Sequence, residues 1–503
     1  MLKGLSVSKD KGYSRYISQA PQPIVRIVTF DPKTNQEDIK NVIVLTPNDP
    51  ETNVLQSYSF KYSTSDTDGQ FSLTLYPGTL GTVEGTKDKI QLFDKIKPLQ
   101  IVEIWERTGS VTPDFVGVIN CKKFVAQSGS GLRIRVTGKS VASFISRFKI
   151  SLDLNAMAIT NQLKSDYAIA TKFTTDLCEE FAKKDVKLSD VLQSVWDYAV
   201  LCAKGCLKLS TSDIEKYVAK YLGSDFFDME DSEVLKYPLS NIFNGQSTIN
   251  FWDIVSTIIP FPVYEKFAFM DSYGKTKIKI RKVPFDCSGD GLGSSWDNLE
   301  EEGTEIDPAT VKSFDFELSD DEVYTVFFSY IKGSPIDADK ALRLYAQTDG
   351  ESDQNVDISD KAKVYGYSPL TVTFNGYSSK ETKKESDKRK ESTNDYLKKL
   401  NQRLENWYGH LDEMFKGTIT LSTLLKEQMP MCGEIVGFLG GEFYVNEAEH
   451  SWSYGGNPET KLTVSRGGDY STKKFKPLEN ITKRYRIFRE LLKNAEKAEV
   501  NIL

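Results

Sequence analysis

Short runs of alternating apolar and polar side chains recur along this chain, the period of strands that pack one face and wet the other. Phe71-Ser72-Leu73-Thr74-Leu75, Leu132-Arg133-Ile134-Arg135-Val136, Lys277-Ile278-Lys279-Ile280-Arg281, Thr418-Ile419-Thr420-Leu421-Ser422 and Lys461-Leu462-Thr463-Val464-Ser465 all follow it. Val25-Arg26-Ile27-Val28 begins the β pattern, and Leu99–Trp105 is a denser apolar strand. Asp68-Gly69, Pro77-Gly78, Thr108-Gly109 and Gly129-Ser130-Gly131 supply turns between these runs. After Val136 the period changes: Val141, Phe144, Ile145 and Phe148 recur at helical spacing. Residues 1–150 therefore read as a curled sheet closed by a short helix.

The pattern then turns helical. Val191, Leu192, Val195, Trp196, Ala199 and Val200 form an apolar stripe behind a cap at Ser189. Ser212-Asp213-Ile214-Glu215 is a capping box for a further helix carrying Tyr217, Val218 and Tyr221. Residues 151–245 are predicted to be a helical insertion on the outside of the β units. Residues 246–312 combine a helix at Phe251-Trp252-Asp253-Ile254-Val255 with strands at 264–269 and 277–281, a small α/β module ending in an acidic loop at Glu300–Glu305.

From 313 to 470 strands return at Phe314–Leu318 and Val323–Phe328. A helix over 392–415 follows, behind a Ser392-x-x-Asp395 box, with Leu397, Leu400, Leu404, Trp407, Leu411 and Met414 stepping by three and four. Its stripe is expected to seal the open side of the second β unit. A coiled coil is the alternative, because the same steps satisfy a heptad. Residues 471–503 carry Ile487, Leu491, Leu492 and Ala495 among Lys and Arg, predicting a surface helix. The fold class is mainly β with α+β modules. The two β groups share no obvious sequence, so any repetition between them is architectural.

With 503 residues the chain is too long for one ordinary core. A hydrophobic fraction of 39% with 12% aromatics suffices for packed domains. A formal net charge of −7 argues against a dedicated duplex-DNA binder, though not against a pore through which DNA passes. The six cysteines, at 121, 178, 202, 206, 287 and 432, include no Cys-x-x-Cys and read as reduced thiols made in a cytosol. The N-terminus lacks a signal-peptide core, and the most lipophilic stretch, Ile254–Tyr264, is broken by Pro260 and Pro262. The expectation is a soluble protein with no membrane insertion of its own.

Candidate chemistry is sparse. A Ser-His-Asp arrangement could use only His410 or His450, and both sit on predicted packed elements beside aromatic residues. No nucleophile elbow, phosphate loop or His-Glu-x-x-His motif is present. Cys202 and Cys206 are four apart, but neither histidine lies near them in sequence to complete a zinc set. Asp286, Ser288, Asp290 and Gly291, with Asp297 at the twelfth place, approximate a calcium loop. Asp replaces the bidentate Glu at that place, and a Gly/Asp/Ser-rich hairpin tip explains the same residues. Lys277, Lys279, Arg281 and Lys282 form a basic row, either the wet face of a half-buried strand or a phosphate-facing channel wall. No catalytic, metal or cofactor-binding residue is assigned.

Several segments in order resemble the baseplate hub proteins of contractile phage tails, a family that includes phage-derived bacteriocins. The closing strands Gly417–Leu421, Met431–Val436, Gly441–Val445, Glu449–Trp452 and Lys461–Gly467 resemble the family's final barrel. Asp68–Leu75, Ile101–Glu106 and Phe115–Ile119 resemble its first. Phe251–Val255, Pro260–Phe267 and Lys277–Asp286 are similar to its middle module, and Ser319–Phe327 with Tyr365–Leu370 to the start of the second barrel. The insertion at 151–245 departs from the pattern.

The resemblance implies two tail-tube-like β-barrel domains, 1–150 and 313–470, joined by the helical insertion and the α/β module, with a C-terminal helix. It also implies a homotrimeric ring, pseudo-sixfold, that adapts a hexameric tail tube to a trimeric central spike and leaves a channel for DNA or effector passage. The partners expected are the tail tube or a tube-initiator protein, the central spike and other baseplate wedge proteins. The place expected is the virion tail baseplate or a related particle, after synthesis in the host bacterial cytoplasm. A cell-wall hydrolase carried in the baseplate and a receptor- or glycan-binding tail protein are the alternatives.

Overall fold

The computed structural model describes residues 23–28, 42–46, 54–82, 89–106, 112–127, 131–143, 149–151, 248–259, 262, 264–287 apart from 272, 294–296, 304–332, 356–375, 401–422, 430–470 and 475–500, with short runs between 186 and 235. In the N-terminal part lie β1 (Ile24–Val28), β2 (Ile43–Leu45), β3 (Leu55–Ser63), β4 (Gln70–Leu75), β5 (Ile101–Trp105), β6 (Phe115–Gln127) and β7 (Gly131–Ser140). The middle holds α1 (Phe251–Ile258), β8 (Tyr264–Met270) and β9 (Thr276–Lys282). Then come β10 (Val311–Glu317), β11 (Val326–Lys332), β12 (Phe415–Ser422), β13 (Ile435–Phe438), β14 (Gly441–Ser453), β15 (Glu459–Gly468) and α2 (Ile481–Val500).

A single 13-stranded sheet runs through both ends of the chain, in the order β2-β1-β5-β6-β7-β4-β3-β14-β15-β12-β10. β13 branches from β14 and in turn pairs parallel with Thr304–Glu305; every other pairing in this sheet is antiparallel. The N-terminal strands meet the C-terminal strands where β3 lies against β14, with Glu447 opposite Ser63, His450 opposite Phe60 and Ser453 opposite Ser57. Alternation explains why these segments are strands: along β4 the odd residues Phe71, Leu73 and Leu75 are buried while Ser72 and Thr74 are not.

The middle module is a smaller sheet in which β9 pairs antiparallel with β8 and parallel with Phe227–Met229. α1 begins with a reciprocal cap: the Asp253 N–H donates to the Asn250 side chain and the Asp253 carboxylate accepts the Asn250 N–H. β11 does not join the large sheet; it forms a separate three-stranded sheet with Val356–Ile358 and Pro369–Asn375. The main core joins β1 and β3–β7 to the middle module, and Leu404 and Trp452 belong to it. A second core, including Ile419, Phe438, Phe443 and Leu462, fills the C-terminal strands and receives Phe488 of α2.

Two predicted helices differ in extent. The helix placed at 141–148 is a single 3-10 turn over Val141–Ser143, and 144–148 lie outside the described residues. In the run 392–415 residues 401–408 are helical, followed by a 3-10 turn at Leu411–Glu413 and then β12. Residues 392–400 lie outside the described residues.

Candidate assembly surface

One face of the large sheet is polar across seven successive strands. Along one register Lys139, Gln70, Lys61, Glu449, Lys461, Thr420 and Ser313 stand side by side on seven successive strands. The next row on this face is Thr137, Ser72, Ser59, Ser451, Glu459 and Ser422, with the exposed Cys121 beyond Thr137. The residues between these rows, such as Phe60, Phe71, His450, Thr460 and Leu421, point to the core. Strand parity thus gives one wet, charge-balanced surface that crosses the β3–β14 junction without a break. Lys61 reaches Glu447 across that junction at 2.8 Å, and Lys139 pairs with Asp68 at 2.6 Å. A shallow depression of about 390 Å³ sits here, lined by Ser59, Lys61, Gln70, Asn120, Lys139 and Glu449.

Both ends of the sheet path are single-sided. β2 pairs only with β1 and β10 only with β12 among the described strands. Val44, in the middle of β2, is exposed, as is Leu318 at the end of β10. Such edges present backbone donors and acceptors to another chain.

Three buried polar networks fix the parts to one another. Arg281 of β9 donates to Glu265 of β8 and to the carbonyl of Gly433, both at 2.5 Å, while the Tyr444 hydroxyl of β14 donates to the other Glu265 oxygen at 2.5 Å. Gly433 has φ +84°, and a Cβ there would lie 2.3 Å from the Phe267 ring, so glycine alone fits this approach. Arg466 stacks over Trp407 at 3.6 Å and donates to the Trp407 carbonyl, tying β15 to the 401–408 helix. Glu103 of β5 accepts from Arg26 at 2.8 Å and from Tyr221 at 3.1 Å, and lies 3.3 Å from Lys220. That third network docks a described turn of the 151–245 segment on the first strands.

The structure places the residues singled out from sequence as follows. His410 lies near Phe475, and burial pulls its imidazole below its ordinary range. His450 is buried against Glu106, Thr460 and Phe60 on the core side of β14. The contacts of His410 and His450 among the described residues bring neither one together with both a serine and a carboxylate. Of the basic row, Lys277 pairs with Asp225 at 2.6 Å and Lys279 with Asp228 at 3.7 Å. Arg281 departs from the expected wet face: it is buried, drawn inward by Glu265, Tyr444 and the Gly433 carbonyl. Phe285–Cys287 and Ser294–Trp296 form a hairpin, and the candidate calcium positions 288–293 between them lie outside the described residues. Cys202 and Cys206 lie outside them as well. No cluster of His, Cys, Asp and Glu able to hold a metal occurs among the described residues. Burial lowers the Lys266 ammonium to about 8, where it donates to the Ile259 carbonyl at the end of α1, a favourable place for a cation. No helix among the described residues is long and apolar enough to cross a membrane.

No family model and no curated protein matches this chain. Solved structures do. A tail protein from Neisseria meningitidis aligns over 91% of this chain and 100% of its own, at 10% identity and a TM-score of 0.43. A 43 kDa prophage tail protein from Shewanella oneidensis aligns over 89% and 98%, at 11% identity and 0.40. A prophage tail protein from Listeria monocytogenes aligns over 94% and 99%, at 9% identity and 0.36.

Proposed function

We propose that this chain is a structural baseplate hub of a contractile phage tail or phage-tail-like particle. The observation that carries the proposal is the polar sheet face that crosses from the N-terminal to the C-terminal strands, in a sheet whose path ends in one single-sided strand at each end among the described strands. A sheet of this kind cannot bury its edges alone; copies of the chain arranged in a ring cover β2 and β10 by neighbouring strands. The wet face then lines a channel, and its mix of Ser, Thr, Gln and balanced charges offers a passing polymer no strong site at which to stick. With two strand groups per chain, three copies supply the six positions that match a hexameric tube above, while keeping threefold symmetry for a spike below.

The geometry favours this over catalysis. A hydrolase needs a nucleophile with its base, or two carboxylates of separated pKa, in one cleft. The depression on the polar face instead carries lysines paired to Asp68 and Glu447. The deciding experiment is a reconstruction of particles containing the chain. Three copies in one closed ring at the tube–spike junction is the expected result; one copy or six at that level refutes the proposal. Pure protein that clears host cell walls in a zymogram favours the hydrolase instead.

A further inference from the structure

The junction between the N-terminal and C-terminal strands contains a titratable group that the proposed channel does not use. His450 sits in the middle of β14, directly opposite Phe60 of β3 and Thr460 of β15. Its ring stacks on Phe60 with centroids 4.7 Å apart and is only 3% exposed. Its Nδ1 lies 3.2 Å from Glu106 Oε2 and 3.2 Å from Thr460 Oγ1. Glu106 follows β5 and so belongs to the N-terminal strands, whereas His450 belongs to the C-terminal ones. The pair therefore spans the junction inside the core. Glu106 is itself held: the Tyr58 hydroxyl donates to its side chain at 3.3 Å, and its N–H donates to Asp114 at 2.7 Å. Tyr58 in turn stacks on Trp452 of β14.

We propose that Glu106 and His450 form a pH-sensitive clamp that holds the two ends of the large sheet together while His450 carries a proton and releases them when it does not. The groups that face the ring are Tyr58 and Phe60 from β3, Glu106 from the end of β5, Asp114 before β6, Thr460 from β15 and Trp452 on its own strand, while the neighbouring Glu449 adds its charge from the opposite face of β14. The charged ones, Glu106, Asp114 and Glu449, are all acidic. Burial opposes protonation, but this surrounding negative charge outweighs it and raises the imidazole above its ordinary 6.5. Because the folded value is the higher one, the clamp contributes fully below 6.5 and is lost as pH rises through the raised value. Loss of the proton removes the positive charge beside the buried Glu106 carboxylate and leaves it with neutral donors alone, the Tyr58 hydroxyl and the N–H that the neutral imidazole keeps, a weaker arrangement that opening the β3–β14 pairing to water relieves.

The chain has two histidines, so selective isotope labelling of histidine in the full-length protein yields two titration curves, assigned with His410→Gln. The expected result is a His450 midpoint above 6.5 and a His410 midpoint below it, because burial lowers the latter. Glu106→Gln should bring the His450 midpoint down below 6.5. Hydrogen exchange at the amides of 57–63 and 447–453, corrected for intrinsic rates, should accelerate as pH passes the His450 midpoint. Each unit by which that midpoint exceeds the unfolded one corresponds to about a tenfold change in junction opening. His450→Gln should flatten this dependence. A His450 midpoint below 6.5 in the unaltered chain overturns the proposal, as does junction exchange that keeps its pH dependence in His450→Gln. The His450 midpoint is read on the unaltered chain, so a His450→Gln variant that fails to fold does not leave the question open.

Discussion

At the scale of single residues, the alternation in the sequence assigns most side chains to the correct face and fails where a charged residue is buried by a distant partner. Lys277 and Lys279 keep part of their side chains in solvent as their parity demands, but Arg281, next in the same row, is buried. Nothing near Arg281 in sequence announces this, because two of its partners, Gly433 and Tyr444, lie more than 150 residues away. Arg466 is similar: it stands in the left-handed region at φ +55° over Trp407, a position that no local pattern marks. Arg281→Met is expected to lower stability by about 3–5 kcal/mol, since it leaves the Glu265 charge buried without its guanidinium. Replacing Glu265 by Leu in the same chain should recover part of that loss. Urea midpoints of the two variants, read with an unchanged slope, check both expectations. A single variant as stable as the parent would mean the pair is not desolvated.

Elements were legible where the period was long enough and solitary enough. β4, β7, β9, β12 and β15 all coincide with alternating runs, and α1 starts at the Phe251 that its sequence predicts. The helix expected through 415 stops sooner. Met414 is buried as its step of three predicts, yet it lies on the approach to β12 and not on a helix, because Gly409 and a 3-10 turn intervene. A helical step and a strand entry thus produced the same apolar spacing. The part of the stripe that is described packs inside its own chain: Leu404 is fully buried in the main core, and Trp407 lies against Tyr444 and Val283. Leu404→Ala should therefore cost about 2–5 kcal/mol in the isolated chain, the usual range for a buried leucine that leaves a cavity. Thermal denaturation at low protein concentration is the check. An unchanged melting point with weakened assembly would instead assign this stripe to an axial coiled coil.

For the molecule as a whole, the decisive feature was not legible at all. Each strand group reads as self-contained in sequence, yet β3 and β14 pair directly, and Lys61 meets Glu447 across a separation of 386 residues. Register of this kind is encoded only as parity, which tells a strand which face to bury and not which strand to sit beside. The consequence is that residues 1–150 lack a complete core. Without β14 the edge of β3 is bare, and Tyr58 and Phe60 lose Trp452 and His450 from their stacks. Without the turn at 220–221, Glu103 keeps only Arg26 of the partners named above, although it is almost wholly buried. A fragment ending at 150 thus exposes an apolar edge strand and an under-compensated carboxylate together. Expressed alone it should aggregate or remain without cooperative melting, whereas the full chain should unfold its N-terminal and C-terminal strands in one transition. Calorimetry on the full chain and light scattering on the fragment test this. A soluble, monomeric 1–150 fragment with a sharp transition of its own would show that the β3–β14 junction joins two independently stable bodies, not two parts of one sheet.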